Sequence, residues 1–179
     1  MNPAPNLALV GPMGAGKSAI GRVLAERLGL RFADLDHDIE AATGAMVATI
    51  FECEGEPGFR ARESAVLRAL LAGEGLALAT GGGAVLDAGN RRLLRERCFV
   101  VHLDLDVPAQ LRRLARDRSR PLLQRPDREQ ALRELAALRG PLYAEIADLH
   151  FDTGHDSAIH AATALTGLLA TRWQRGAAA

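Results

Sequence analysis

The chain has 179 residues, 48% hydrophobic and 25% charged, the composition of a water-soluble globular protein large enough for one substantial core. Its 22 basic residues balance 22 acidic ones, which excludes a global pull toward nucleic acid or an anionic membrane. No stretch reaches the ~18 uninterrupted apolar residues of a membrane span, and no basic-then-apolar signal pattern opens the chain.

Cys53 and Cys98 have neither metal-ligand nor C-x-x-C spacing and are expected as two buried, reduced thiols, which suits the cytoplasm. From the N-terminus, Leu7-Ala8-Leu9-Val10 reads as a short buried strand that stops at Gly11. Gly11-x-x-x-x-Gly16-Lys17-Ser18 follows. A helical pattern over 18–28 then places Ile20, Val23, Leu24 and Leu28 at helical spacing and is closed by Gly29. Strand, glycine-rich turn and helix in that order are the context of a phosphate loop. Glycines let backbone N–H groups approach phosphate oxygens, and the helix aims its positive end at the same anion. Lys17 is the only lysine of the chain. Its compact ammonium suits a tight socket in which a planar guanidinium would be crowded. Lys17 is therefore assigned to the β- and γ-phosphates and the Ser18 hydroxyl to Mg²⁺, with Gly14, Ala15, Gly16 and Ala19 completing the nucleotide site. Ala19 stands where many such loops carry a second hydroxyl, a loss of about 1 kcal/mol in contact.

A strand over 31–35 leads through Phe32-Ala-Asp34-Leu to Asp36. On a strand the two carboxylates share one side, where Mg²⁺ and a hydroxyl-rich acceptor would relieve their repulsion. Alternatively, Asp36 or Asp38 caps a helix over 39–48. Gly55-Glu-Pro-Gly-Phe-Arg60-Ala-Arg62-Glu63 opens the next helix, over 60–72. Arg60 in a first turn opposes the helix dipole and suggests an anionic partner, with Glu63 holding it as an i, i+3 pair. An exposed arginine is the alternative. After a strand over 76–80 come Gly81, Gly82 and Gly83. Their entropic cost suggests close ligand approach to bare N–H groups; the alternative is a flexible turn.

A helix over 90–96 and a strand over 99–103 lead to Asp104, a passable Walker B carboxylate. A helix over 108–116 then runs into Arg112, Arg113, Arg116, Arg118 and Arg120 before Pro121. These form either a solvated face or a cover that closes over a transferring phosphoryl group. Arg139 precedes a proline that interrupts a helical pattern over 129–147. A strand over 149–151, a helix over 157–173 and a frayed tail over 175–179 complete the chain. Strands alternating with helices predict a single α/β domain, 1–179, with a parallel sheet covered on both faces.

With no second lysine, the Asn-Lys-x-Asp base-reading motif of regulatory GTPases is impossible. Nothing near Asp104 suggests an oligomeric motor. A small-molecule kinase needs an acceptor pocket and an arginine-bearing cover, and the chain supplies both. A silent nucleotide-binding regulator would be expected to lose Lys17, Asp36 or Arg120, all of which are present.

Taken in order, GPMGAGKS, F-x-D-x-D-x-x-IE (32–40), GE-x-x-FR-x-x-E (55–63), GGG, RPLL (120–123) and R-x-PLY (139–143) resemble the shikimate kinase family over residues 7 to about 153. The resemblance implies an α/β P-loop NTPase fold of the nucleoside monophosphate kinase-like kind. Its three layers would hold a five-stranded parallel sheet ordered 2-3-1-4-5, with a mobile lid at about 111–125. It implies transfer of the ATP γ-phosphoryl group to the 3-hydroxyl of shikimate, on the route to chorismate and the aromatic amino acids. It also implies Mg²⁺ as cofactor and a cytoplasmic monomer with no nucleic-acid or membrane partner. Carried over residue by residue, Lys17 and Ser18 hold phosphates and Mg²⁺, and Asp34 reaches the metal. Asp36 binds shikimate hydroxyls and accepts or orients the acceptor proton. Arg60 and Arg139 clamp the shikimate carboxylate, Glu63 steadies Arg60, and the backbone of Gly81–Gly83 contacts the acceptor. Arg120 meets the ATP phosphates and Arg113 lies against adenine. Asp104 is left as a structural or strand-capping residue. A gluconate kinase-like enzyme is the nearest alternative; it shares the loop but need not keep Arg60 and Arg139 as a clamp.

Overall fold

A computed structural model of the chain describes residues 3–115, 126–154 and 157–174. Five short strands, β1 (Asn6–Val10), β2 (Arg31–Asp34), β3 (Leu76–Ala79), β4 (Cys98–Asp104) and β5 (Leu149–Asp152), form one sheet in the order β2-β3-β1-β4-β5. Every pairing is parallel. The helices are α1 (Lys17–Leu28), α2 (Leu35–Thr43), α3 (Val47–Leu71), α4 (Ala88–Arg97), α5 (Val107–Arg113), α6 (Arg128–Ile146) and α7 (Ala158–Arg172), with a 3-10 turn at Ala84–Leu86.

The two-residue period of a strand sends successive side chains to opposite faces. Leu7 and Leu9 of β1 join Phe99, Val101 and Leu103 of β4 in a core covered by α1 and α7. Ala8 and Val10 join Leu76, Leu78 and Val100 in a second core, covered by α2, α3, α4 and α6. The strands are apolar on both faces because each face carries helices, as a parallel sheet requires.

Asn6 ties the base of this sheet together. It is fully buried, its side-chain amide donates to the carbonyls of Gly73 (3.1 Å) and Arg97 (3.2 Å), and its Oδ1 accepts from the Leu76 amide (3.0 Å). One side chain thus links the first strand to both of its neighbours' entry points. Gly29 ends α1 as expected, at φ 61°, with its amide turned back to the carbonyls of Ala25 and Glu26. Asp87, Asp106 and Ser157 each accept an amide hydrogen at the start of α4, α5 and α7.

Several sequence expectations change. The strand predicted over 31–35 stops at Asp34, because its pairing with β3 ends at Asp34–Ala79. Asp36 therefore sits in the first turn of α2 rather than beside Asp34 on a strand. Leu35 and Ile39, both buried and one turn apart, secure that turn to the core, and Asp36 and Asp38 suit its positive end. Gly44, at φ 68°, ends α2 before the predicted residue 48. α3 begins earlier than predicted and continues across Gly55, whose φ of 69° and ψ of −176° break it into two arms. Pro141 does not interrupt α6; the helix carries on because Tyr143 and Ile146 beyond it are buried against the sheet. Cys98 is buried, and desolvation pushes its thiol far above the usual range, but Cys53 is exposed on the first arm of α3. The tail at 175–179 lies outside the described residues.

Replacing Asn6 by alanine leaves the buried Leu76 amide without its acceptor and the Arg97 carbonyl without the Asn6 donor, while the Gly73 carbonyl keeps the Arg97 guanidinium at 3.2 Å. A loss of about 3 kcal/mol in unfolding free energy is expected, read from urea denaturation of the two proteins.

Candidate active site

All five strands run the same way, so the turns that follow them share one rim of the sheet. β1 lies between β3 and β4, and the chain reverses its direction of travel there, which opens a crevice at the carboxyl ends. The turns after β1, β2 and β3 meet in a cleft of about 540 Å³ lined by Gly14, Gly16, Lys17, Ser18, Ala19, Asp34, Asp36, Thr80, Gly81, Gly82 and Arg113.

The phosphate loop forms one wall. Gly11 leaves β1 at φ 139°, and a Cβ there would lie 2.2 Å from the Leu103 carbonyl oxygen, so only glycine lets the loop pass the end of β4. Lys17 opens α1 and folds its ammonium back onto the carbonyls of Gly11 and Pro12, each at 2.8 Å. The charge is thus held over the loop at the positive end of a helix, where a polyphosphate would be drawn. The Ser18 hydroxyl donates to the Asp34 carboxylate, joining α1 to the end of β2. A hydroxyl and a carboxylate side by side are oxygen donors of the kind Mg²⁺ accepts, usually with phosphate or water oxygens beside them. Among the described residues, no group of three or more His, Cys, Asp and Glu side chains could hold a metal ion without such help.

The second arm of α3 and the turn after β3 form the opposite wall. Arg60 donates to Glu63 at 2.6 Å, the predicted i, i+3 pair, and to the more exposed Glu56 at 3.2 Å. Glu63 is buried. Desolvation raises its pKa above the usual carboxylate value, against the opposing pull of Arg60. Its second oxygen, Oε1, is buried without a hydrogen-bond partner, and so is Nε of Arg139.

Gly81, Gly82 and Gly83 explain why these groups can gather. None of the three has positive φ. A Cβ on Gly81 would sit 2.9 Å from both Asp36 Oδ1 and Glu63 Oε1. On Gly82 it would come within 3.4 Å of Arg139 Nη1, and on Gly83 within 2.2 Å of Arg60 Nη2. The triplet is therefore neither a flexible turn nor simply a gap for a ligand. Bare backbone is what allows Asp36, Glu63 and Arg60 to close around Gly81 and Gly83, with Arg139 at contact distance from Gly82.

Asp36, Arg60, Glu63 and Arg139, drawn from α2, α3 and α6, thus meet at one backbone segment. Lys17, Ser18 and Asp34 meet a few residues away across the cleft. Arg113 donates to the Gly14 carbonyl (3.0 Å), the Thr153 hydroxyl (3.3 Å) and the Thr153 carbonyl, fastening the end of α5 to the phosphate loop and to the end of β5. Asp104 accepts the Leu105 amide at 2.8 Å, as a strand-end cap does. Arg116, Arg118 and Arg120 lie outside the described residues.

Two residues at the site escaped the sequence reading. Thr80 donates to the Leu9 carbonyl (3.1 Å) and lines the cleft where β3 ends. Tyr143 donates its hydroxyl hydrogen to the Gly82 carbonyl. The four-residue spacing of Arg139 and Tyr143, one helical turn, was the available signal.

A family model described as shikimate kinase matches residues 13–169. A shikimate kinase of Stenotrophomonas maltophilia (strain K279a) is 59% identical over 175 residues, covering 98% of this chain and 97% of that protein. One from Xanthomonas campestris pv. campestris (strain 8004) is 58% identical over 174 residues, 97% of each. The solved shikimate kinase from Acinetobacter baumannii, in complex with shikimate, superposes with a TM-score of 0.90 at 49% identity, over 95% of both chains.

Gly83→Ala places a methyl group where Arg60 now stands. Affinity for a carboxylate-bearing acceptor should fall about tenfold, the loss of one charge-assisted hydrogen bond, while nucleotide affinity stays within about twofold. Calorimetric titration of each ligand checks this.

Proposed function

We propose a residue-level mechanism for this chain, which belongs to the shikimate kinase family. The enzyme transfers the γ-phosphoryl group of ATP to the 3-hydroxyl of shikimate, a step in aromatic amino-acid biosynthesis. The observation that carries the residue assignment is the convergence of the Arg60–Glu63 pair, Arg139 and Asp36 on Gly81–Gly83, across one cleft from Lys17.

Shikimate is a small anion with several hydroxyl groups. Arg60 and Arg139 take its carboxylate, which leaves the hydroxyl face toward Asp36 and the phosphate loop. Glu63 fixes Arg60 and tempers the positive charge of the pair. Asp36 accepts a hydrogen bond from the 3-hydroxyl and takes its proton as the oxygen attacks the γ-phosphorus. The bond from that phosphorus to the β,γ-bridging oxygen breaks, and ADP leaves with the electron pair. Lys17 and the loop amides neutralise charge on the phosphates throughout. Such a reaction needs positioning and charge compensation, and no covalent enzyme intermediate.

Ser18 and Asp34 would hold Mg²⁺ beside the phosphates, where it would supply screening of the charge on the β- and γ-phosphate oxygens. Gly14, Gly16 and Ala19 line the nucleotide side of the cleft, and Ala15, whose side chain is buried in the core, is assigned to it through the backbone of the loop. Arg113 is assigned to the nucleotide from its place beside Gly14, where an incoming adenine would meet it in exchange for Thr153. Arg120 is assigned to the ATP phosphates and the segment 111–125 to a lid on the sequence motif. The domain works as a monomer in the cytoplasm without nucleic-acid or membrane partners. In support, one chain supplies the site and its net charge is zero; among the described residues no helix is long and apolar enough to cross a membrane.

ADP release with Mg·ATP should appear with shikimate and not with gluconate, a nucleoside monophosphate or no acceptor. Turnover at a comparable rate with gluconate, an open-chain acceptor that also bears a carboxylate, would show that the wall does not select the ring of shikimate. In a separate test, Arg139→Ala should raise the shikimate KM by roughly 10- to 100-fold and leave the ATP KM within about twofold. Equal rises in both would show that Arg139 does not belong to the acceptor.

A further inference from the structure

The acceptor wall has a component that the mechanism above does not use. Tyr143 lies one turn beyond Arg139 on α6, so both side chains leave the same face of the helix. Its ring is buried and packs at a tilt against His102 of β4, with centroids 5.1 Å apart. Burial pushes the phenol up to about 12, against a smaller downward pull from Arg139. It is therefore a neutral O–H donor throughout the working range of the enzyme. A buried tyrosine hydroxyl needs a partner. Here the partner is the Gly82 carbonyl, the centre of the segment around which Asp36, Arg60, Glu63 and Arg139 gather.

Three successive glycines have more conformational freedom than any other triplet. The carbonyls of Gly81 and Gly83 are occupied by the amides of Ala84 and Leu86, which pins the two ends of the segment to the 3-10 turn. The carbonyl between them is held by Tyr143 alone among the described residues. A trans peptide is planar, with its C=O and N–H pointing in opposite directions. Fixing the Gly82 carbonyl toward α6 therefore turns the Gly83 N–H away from α6. Neither the Gly82 nor the Gly83 amide donates to an acceptor among the described residues.

We infer that Tyr143 is a positioning residue for the acceptor: its hydroxyl locks the Gly82–Gly83 peptide so that the Gly83 N–H is presented to shikimate in register with Arg139. The inference deepens the proposed assignment of the acceptor wall and rests on it. Tyr143 touches neither substrate; it acts through a backbone group and through the arginine one turn away.

The test is Tyr143→Phe, which keeps the ring and its packing and removes only the hydroxyl. The shikimate KM should rise about tenfold, with kcat and the ATP KM within about twofold and Tm within a few degrees of the parent. In the ¹⁵N-labelled parent, shikimate should shift the Gly83 amide resonance strongly downfield, and the variant should lose most of that shift. A cycle with Arg139→Lys should be non-additive, the double variant losing less than the product of the single losses. An unchanged shikimate KM in the phenylalanine variant overturns the inference, because the hydroxyl then serves only its own burial. So does a rise in both KM values together with a large fall in Tm, the mark of a packing residue. The parent protein assayed alongside separates the two levels. If it fails to turn over shikimate, the assignment of the wall has failed; if it succeeds while the variant matches it, only the role of Tyr143 has.

Discussion

A buried carboxylate pressed against bare backbone is the constraint on which the acceptor side of this protein depends. Glu63 has one oxygen on Arg60 and the other facing the place where a side chain on residue 81 would stand. Burying a charge in this way is costly unless it is paired, and the pairing is correspondingly strict. Arg60 must reach Glu63 across the surface of Gly83, and Asp36 must share the space above Gly81. The glycines, the arginines and the carboxylates are therefore a single unit. Each residue type is required by the space or the charge of another.

The phosphate side is built by different means. Its positive potential comes from a helix terminus, a run of backbone amides and one ammonium group already held over the loop by two carbonyls. Few side chains are needed because the backbone supplies most of the binding groups. The Ser18–Asp34 contact joins this wall to the end of β2, from which Asp36 is reached within two residues. The two walls are thus linked through the direct β2–α2 connection, which would set the spacing of the two proposed subsites. Such spacing is the main catalytic contribution for a reaction limited by alignment and charge.

Much of this was legible beforehand, for reasons that differ by element. The strands were found because both faces are buried, which leaves unbroken apolar runs. The phosphate loop was found because its chemistry depends on backbone geometry that only glycine permits. The Arg60–Glu63 pair was visible because it is local, three residues apart on one helix. The geometry of Asp34 and Asp36 was misread, since a two-residue period assumes the strand continues, and only the end of its pairing with β3 stops it at Asp34. The glycine triplet is visible in the sequence, and the side chains that pack against it are not. The atoms that a Cβ would crowd at Gly81 and Gly83 come from residues 36, 60 and 63, which no local pattern connects to the triplet. Arg113 was placed at the nucleotide, and its bonds to Gly14 and Thr153 could not be foreseen, because they bridge three loops distant in sequence.

By itself, then, the sequence determined which chemistry the chain carries: one ammonium on a phosphate loop, acidic residues after the second strand, and arginines and glycines in a fixed order. Those features depend on residue type and short spacing, where sterics and hydrogen bonding act within a turn or two of chain. Tertiary structure decided how the groups face one another. It set Asp36 on a helix, carried α6 through Pro141 to bring Tyr143 onto Gly82, and packed charged side chains against a backbone stripped of Cβ atoms. Those outcomes depend on where sheet pairing stops and on which buried faces meet, and both are properties of the assembled chain.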